Sequence, residues 1–190
     1  QTTTVGSFTA WSWSPDGTDR FTKVKPGEHL VLKSSLLTTG VDSVKPNHID
    51  GKWILTNALR VFPTIPDIYT RLDASKKYSF SFKIKKTAGV IRGLGGHAEI
   101  FKSGSQKIYL DGVLQSATSW AIANISINDN LAHTIQVVAD IVPNLIGNDW
   151  LYIQVGRNTN YADIYSAEIW DLKVEEGQVA TPYTPSPSDN

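Results

Sequence analysis

A chain of 190 residues, 41% hydrophobic and 19% charged, is long enough to bury one sizeable core, and a single compact domain is expected. Its eighteen Lys and Arg balance eighteen Asp and Glu, so there is no global electrostatic case for nucleic acid or an anionic membrane. Cysteine is absent, which excludes disulfides, thiolate metal sites and a cysteine nucleophile, and no apolar run approaches the roughly 18 residues of a membrane helix.

Methionine is also absent, so Gln1 is not an initiator and the sequence reads as an excised or processed stretch. Residues 1–27 read as a linker or junction. Pro15-Asp16-Gly17 and Pro26-Gly27 are turns, proline presetting φ and glycine accepting φ > 0. The main module is expected over 28–178, with a first strand at 29–32. Pro46, Pro63 and Pro66 keep the strands of the next region short or at sheet edges, with candidates at 52–56, 58–62 and 67–72. Residues 77–86, KYSFSFKIKK, form the clearest strand. Tyr78, Phe80, Phe82 and Ile84 point one way, and Ser79, Ser81, Lys83 and Lys85 the other, giving a basic outer face.

Gly89, Gly93, Gly95 and Gly96 predict a loop. Residues 98–102 and 106–110 are expected to pair as strands, and Asp111-Gly112 is a two-residue hairpin signal before Val113-Leu114. Residues 120–127 read as a further strand. Within 131–142 both a helical and an alternating pattern can be drawn, and the β-branched content favours a strand. A strand at 150–155 precedes the last one, in which the alternation slips by one residue at Trp170-Asp171, the signature of a β-bulge. Pro182, Pro185 and Pro187 then remove backbone donors, and 179–190 reads as a proline-rich exit linker. Many short strands separated by turns predict an all-β fold, a two-layer antiparallel β-sandwich of jelly-roll topology.

Charge is uneven along the chain. Residues 1–107 carry sixteen basic and eight acidic side chains, and 108–190 carry two basic and ten acidic. In a sandwich the halves interleave, so the asymmetry predicts complementary strands. Lys77, Lys83, Lys85 and Lys86 form a basic stripe, which reads as a solvated face guarding a sheet edge or as an attraction to anionic wall polymers.

The candidate binding residues are aromatic. If Leu151, Ile153 and Val155 face the core, Trp150, Tyr152 and Gln154 stand together on the other face, with Arg157, Asn158 and Asn160 just downstream. Aromatic platforms beside amides and a guanidinium suit the C–H faces and hydroxyls of sugar rings, although either ring could instead lie packed under a loop. Trp120 and Tyr109 are a second pair of saccharide candidates, each beside expected core positions. Trp53 and Trp170 read as core or bulge packing, and Trp11 and Trp13 as anchors to a neighbouring domain or protomer.

No cofactor is expected, and no metal site beyond a structural Ca²⁺ at Asp171, for which one carboxylate supplies little of the needed six to eight oxygens. His29, His48, His97 and His133 lack zinc-ligand spacing. The glycines of 93–96 lack a phosphate-loop pattern, there is no GxSxG, and no pair of carboxylates is marked out for glycoside hydrolysis. The expectation is that the chain is not an enzyme.

Two border segments carry a resemblance. Residues 173–189 have the form KxExGxxATPxxPxPxD, with Lys173, Glu175, Gly177, Ala180, Thr181, Pro182, Pro185, Pro187 and Asp189. This resembles the C-terminal edge of carbohydrate-binding-module-like β-sandwich domains in tail and baseplate proteins, the adhesion devices, of phages of Gram-positive bacteria of the lactic acid type. Val174, Tyr183 and Ser188 depart from the leucine, tryptophan and acidic residue usual there. Residues 11–27, WSWSPDGTDRFTKVKPG, are similar to a junction in phage tail-tip and fibre proteins, though Lys25 stands before Pro26 where a tyrosine is usual.

The resemblance implies the same sandwich, a virion location at the tail tip or baseplate, and recognition of host cell-wall polysaccharide at the cell surface during attachment. It also implies other tail subunits as partners and a homo-oligomeric parent, with neither nucleic acid nor membrane as partner. The alternatives are a structural spacer or oligomerisation module without sugar binding, or a cell-wall glycan hydrolase.

Overall fold

The computed structural model describes residues 10–12, 22–24, 38–39, 47–56, 60–62, 72–96, 100–142, 153–154 and 166–184. Its strands in chain order are β1 (Ala10–Ser12), β2 (Thr22–Val24), β3 (Thr38–Thr39), β4 (Asn47–Ile49), β5 (Lys52–Thr56), β6 (Arg60–Phe62), β7 (Lys77–Ala88) and β8 (Ile91–Leu94). They continue with β9 (Lys107–Leu110), β10 (Val113–Leu114), β11 (Ile125–Ile127), β12 (Ala132–Asp140), β13 (Ile153–Gln154) and β14 (Ser166–Glu176). Among the described residues the helical element is a 3-10 turn, Trp120–Ile122, and no helix is long and apolar enough to cross a membrane.

Seven strands form the main sheet in the order β10-β9-β12-β7-β14-β5-β4, and every pairing in it is antiparallel. Strand β7 lies at its centre because both of its faces can be covered. Tyr78, Phe80, Phe82 and Ile84 are almost wholly buried on the inner face, as alternation predicts. Beside them lie Ile135, Val137 and Ala139 of β12, and Ala167, Ile169, Leu172 and Val174 of β14. Trp53 and Leu55 of β5 and Ile108 of β9 extend the same core.

A second layer closes this face. It consists of the β8–β11 pair, Ile100-Phe101 and the Trp120 turn, all part of one apolar cluster with the sheet. The molecule is thus an all-β, two-layer antiparallel sandwich.

Both hairpin turns that bound the main sheet use positive φ. Asp111 and Gly112 lie at φ 49° and 79°, joining β9 to β10 as the sequence predicts. Asp50 and Gly51 do the same between β4 and β5, at φ 50° and 75°. The bulge is also where the alternation slips. Trp170 pairs with Lys83 and Lys173 with Ser81, leaving Asp171 and Leu172 opposite Phe82 alone, with Asp171 at φ 53°.

Several expectations are corrected. Part of the glycine-rich stretch is a strand, β8, which holds Gly93, and just after it Gly95 lets the backbone approach the 3-10 turn. A Cβ there would lie 2.7 Å from the Trp120 carbonyl oxygen, and Gly96 N–H donates to that same oxygen at 3.2 Å. Residues 120–127 are not one strand. Ser119 caps the 3-10 turn, accepting from Ala121 N–H, and Gln106 Oε1 accepts from Trp120 N–H at 2.6 Å, so extended structure begins only at Ile125. The described residues of 98–102 do not pair with 106–110. Phe101 bridges Ile141 instead, and β9 is taken up by β10 and β12. The candidate strand at 29–32, residues 67–71 of the candidate at 67–72, and the linker tryptophan Trp13 lie outside the described residues.

The charge asymmetry resolves into complementary strands. Lys52–Glu168, Lys76–Glu176, Lys77–Asp140 and Lys83–Asp171 are paired at 2.8, 2.8, 2.6 and 2.8 Å. Each joins a base from the first part of the chain to an acid from the second. The basic stripe is therefore partly neutralised, and it is not a single stripe. Lys86 falls in the phase of Ile84 and is buried, whereas Lys83 and Lys85 occupy the other phase.

Candidate functional site

The most constructed polar feature lies on the outer face of the main sheet, where β14 ends. Lys173 and Glu175 are two residues apart, so they project on the same face, opposite Leu172 and Val174. Their ion pair, at 2.9 Å, is closed to solvent, with the two side chains 1% and 0% exposed.

Burying a lysine and a glutamate is tolerable only if every donor and acceptor is satisfied, and residues 178–182 supply the missing partners. Gly177, at φ 126°, turns the chain after donating its N–H to the Lys77 carbonyl at 2.8 Å. The segment then folds back onto the sheet. Thr181 N–H donates to Glu175 Oε1 at 2.7 Å and its hydroxyl to Oε2 at 2.6 Å. Lys173 Nζ donates to Thr181 Oγ1 at 2.6 Å and to the Pro182 carbonyl at 3.3 Å. The three ammonium donors thus meet three acceptors. Gln136 Nε2 on β12 adds a longer contact, 3.4 Å, to the Gln178 carbonyl.

The exit is therefore a latch. Residues 178–182 do not leave the sandwich as a free extended tail. The expected boundary at 178 falls inside a hydrogen-bonded unit, because Thr181 completes the polar shell of two side chains that the strand buries.

Beside the latch is a groove of about 290 Å³. Its floor is the outer face, with Ser81, Lys83, Thr134 and Asp171, and its wall is formed by Thr181 and Tyr183 among others. The bulge makes Asp171 part of this floor. Trp170, which faces outward with Lys52 Nζ 5.0 Å from its ring centroid, is followed by a residue that in regular alternation would face the core. The left-handed backbone at Asp171 turns its carboxylate outward onto Lys83 instead.

The sequence-derived candidates are distributed unevenly. Trp150, Tyr152, Arg157, Asn158 and Asn160 lie outside the described residues. Gln154 is placed only as backbone in β13, which pairs with β6. Trp120 is fully buried, edge-on to Phe82 with ring centroids 6.0 Å apart. It anchors the second layer to the sheet and offers no face to a ligand, because the 3-10 turn directs its ring inward. Tyr109 is half-buried on the same outer face as the groove, opposite Gln136, but does not line the groove. Trp53 is buried, as expected, with His48 stacked on it at 4.3 Å.

Asp171, weighed as a calcium ligand, has its carboxylate on Lys83. Among the described residues no three His, Cys, Asp or Glu side chains converge as a metal site. His133 is instead clamped between two carboxylates, Nδ1 to Asp111 at 2.7 Å and Nε2 to Asp129 at 2.8 Å. Partial burial opposes charging of the ring, but these two bonds outweigh it and hold its pKa above the ordinary histidine value. Burial opposes ionisation of Asp111 too, yet Thr134 N–H and His133 pull its pKa below the usual carboxylate value. Asp129 is lowered by His133 and by Leu131 N–H. The cluster pins the β9–β10 hairpin to the turn before β12.

What sequence reading missed is the role of Lys173, Glu175 and Thr181. They were visible as spaced letters of a border motif, and a Lys-x-Glu pair on the outer face of a strand ordinarily reads as solvated. The signal was Ala180-Thr181-Pro182, whose threonine falls six residues after Glu175.

No protein-family model matches the chain, and no curated protein does. Among solved structures the chain is similar to the tripod from the baseplate of bacteriophage Tuc2009, at 19% identity and a TM-score of 0.47, over 99% of this chain and 69% of that one.

Proposed function

We propose that the chain is a non-catalytic saccharide-binding module of a phage tail or baseplate protein. It would recognise host cell-wall polysaccharide during attachment, beside other tail subunits and within an oligomeric parent. The observation that carries the reading is the latch. Five of the nine residues by which the C-terminal border resembles tail modules, Lys173, Glu175, Gly177, Thr181 and Pro182, take part in it. The motif therefore has a physical purpose at a module border, which is to fix the direction in which the chain leaves the sandwich.

Saccharide recognition is assigned to Trp150, Tyr152 and Gln154, with Arg157 and Asn158, on the chemistry of their side chains. Individually weak sites would act together in an oligomeric tail.

The test is binding of the fluorescently tagged chain to purified walls of Gram-positive hosts, beside a Trp150→Ala, Tyr152→Ala variant shown to be folded by its melting transition. Host-restricted binding that the variant loses is expected. Failure of the parent chain to bind any wall, even at high density on beads, would favour a structural spacer. The latch gives that second reading its own support, since a fixed exit also serves a connector.

A further inference from the structure

We infer that the groove between the outer face of the main sheet and the latched exit segment is a second binding site, for an uncharged, hydroxyl-rich ligand about the size of a sugar ring. The site follows from the geometry alone; only the origin of the ligand, a wall saccharide, rests on the function proposed above.

Size comes first. A cavity of about 290 Å³ lies at the lower end of the range for small-molecule clefts. It is confined by the fold, since the floor belongs to β7, β12 and β14 and the wall to a segment anchored by a buried ion pair.

Charge then selects the ligand. Lys83 and Asp171 are paired at 2.8 Å and are 45% and 25% exposed, so the floor presents both a cation and an anion with no net charge. A phosphate or carboxylate would face Asp171, and an amine would face Lys83. The other ammonium at the groove, Lys173, is 1% exposed and has three acceptors of its own. A neutral ligand with neighbouring hydroxyls can instead donate to the carboxylate and accept from the ammonium. Ser81 and Thr134 contribute further hydroxyls, and the half-buried Tyr183 contributes a ring to the wall.

Backbone strain is a separate observation. Asp171 is a non-glycine residue held at φ 53°, in a region most side chains avoid. Bulges occur where a strand re-aims a side chain, and strain of this kind gathers at ligand sites. Here it brings a carboxylate onto a face that regular alternation would have denied it.

The wall exists only while the latch is closed, so occupancy and latching are linked. A ligand that needs Tyr183 and its neighbours stabilises the closed exit segment, and by reciprocity an open latch weakens the ligand.

The experiment is amide chemical-shift mapping on the isotope-labelled full chain. It would be titrated with glucose, galactose and N-acetylglucosamine, and with glycerol 3-phosphate and glucosamine as anionic and cationic controls. At least one neutral sugar is expected to shift residues 81–83, 134, 171, 180, 181 and 183, with a Kd of about 1 mM. Asp171→Asn, which keeps a residue tolerant of the left-handed region, should weaken it about tenfold. Tyr183→Ala and the latch-opening Thr181→Val should weaken it comparably while the inner-face resonances stay in place.

Absence of shifts at these residues with every neutral sugar would overturn the site, as would glycerol 3-phosphate binding as well as the sugars do. Undiminished binding by Thr181→Val would overturn the linkage. Shifts confined to residues 150–158 would leave the saccharide-binding function standing and remove the groove. Wall binding that survives Trp150→Ala, Tyr152→Ala but is lost in Asp171→Asn would establish the groove and displace the aromatic face.

Discussion

The two faces of the main sheet are held by different physics. The inner face is apolar and non-directional: Phe80, Phe82, Ile84, Ile135, Val137, Ile169 and Val174 are sealed by burial, and any well-filling side chains of similar volume would serve. The outer face is polar and directional. Its covered part depends on Lys173, Glu175 and Thr181 meeting within 2.9 Å, and its open part on exposed ion pairs. The inner face makes the sandwich stable, whereas the outer face decides where the chain leaves it.

Substitutions can sharpen that contrast. The largest effect is expected for Phe82→Ala, which removes a buried ring touching both Phe80 and Trp120 and should cost about 3–5 kcal/mol in denaturant unfolding. Lys173→Met should approach this, about 3 kcal/mol or more, because the buried Glu175 carboxylate would lose the ammonium 2.9 Å from it. The double variant Lys173→Met, Glu175→Leu should recover much of the global loss yet still free the exit segment, which hydrogen exchange at residues 178–181 would reveal. Recovery of exchange protection there would break the comparison.

Thr181→Val removes the hydroxyl bridging the pair and should cost about 1–3 kcal/mol, with faster exchange at the exit and little change on the inner face. The fourth prediction concerns pH. His133 has a raised pKa in the folded state, so its contribution is complete below the unfolded value near 6.5 and fades as pH rises through the folded value. Asp111 and Asp129 are lowered, so theirs is present above about 3.8 and fades as pH falls. The hairpin clamp should thus be strongest between those limits, and His133→Gln should flatten the decline of melting temperature on the alkaline side. The smallest effect is expected for Lys77→Ala. Its pair with Asp140 is exposed and should be worth at most about 1 kcal/mol, a value that added salt would reduce further.

The legible parts of the molecule were those governed by local repetition. Period-2 alternation placed β7 and its inner face, the β-branched run identified β12, Asp111-Gly112 gave the hairpin, and the slipped phase gave the bulge at Asp171. Gly95 was misread because a glycine demanded by a close backbone approach looks the same, in one dimension, as a glycine in a loop. Trp120 was offered as a binding platform because turns and polar neighbours surround it in sequence, but its 3-10 turn faces the core.

The sequence by itself thus determined the class of fold, most of its large strands and the position of the bulge, since each is written in the spacing of neighbouring side chains. The complementary charge of the two parts of the chain was also written there. Only the tertiary structure decided which lysine met which acid, and that Lys173 and Glu175 are buried. It alone showed that the exit segment closes over them to wall a groove. Those outcomes depend on residues that are adjacent only after the sheet has assembled, and on a desolvation cost that no side chain displays until its partners arrive.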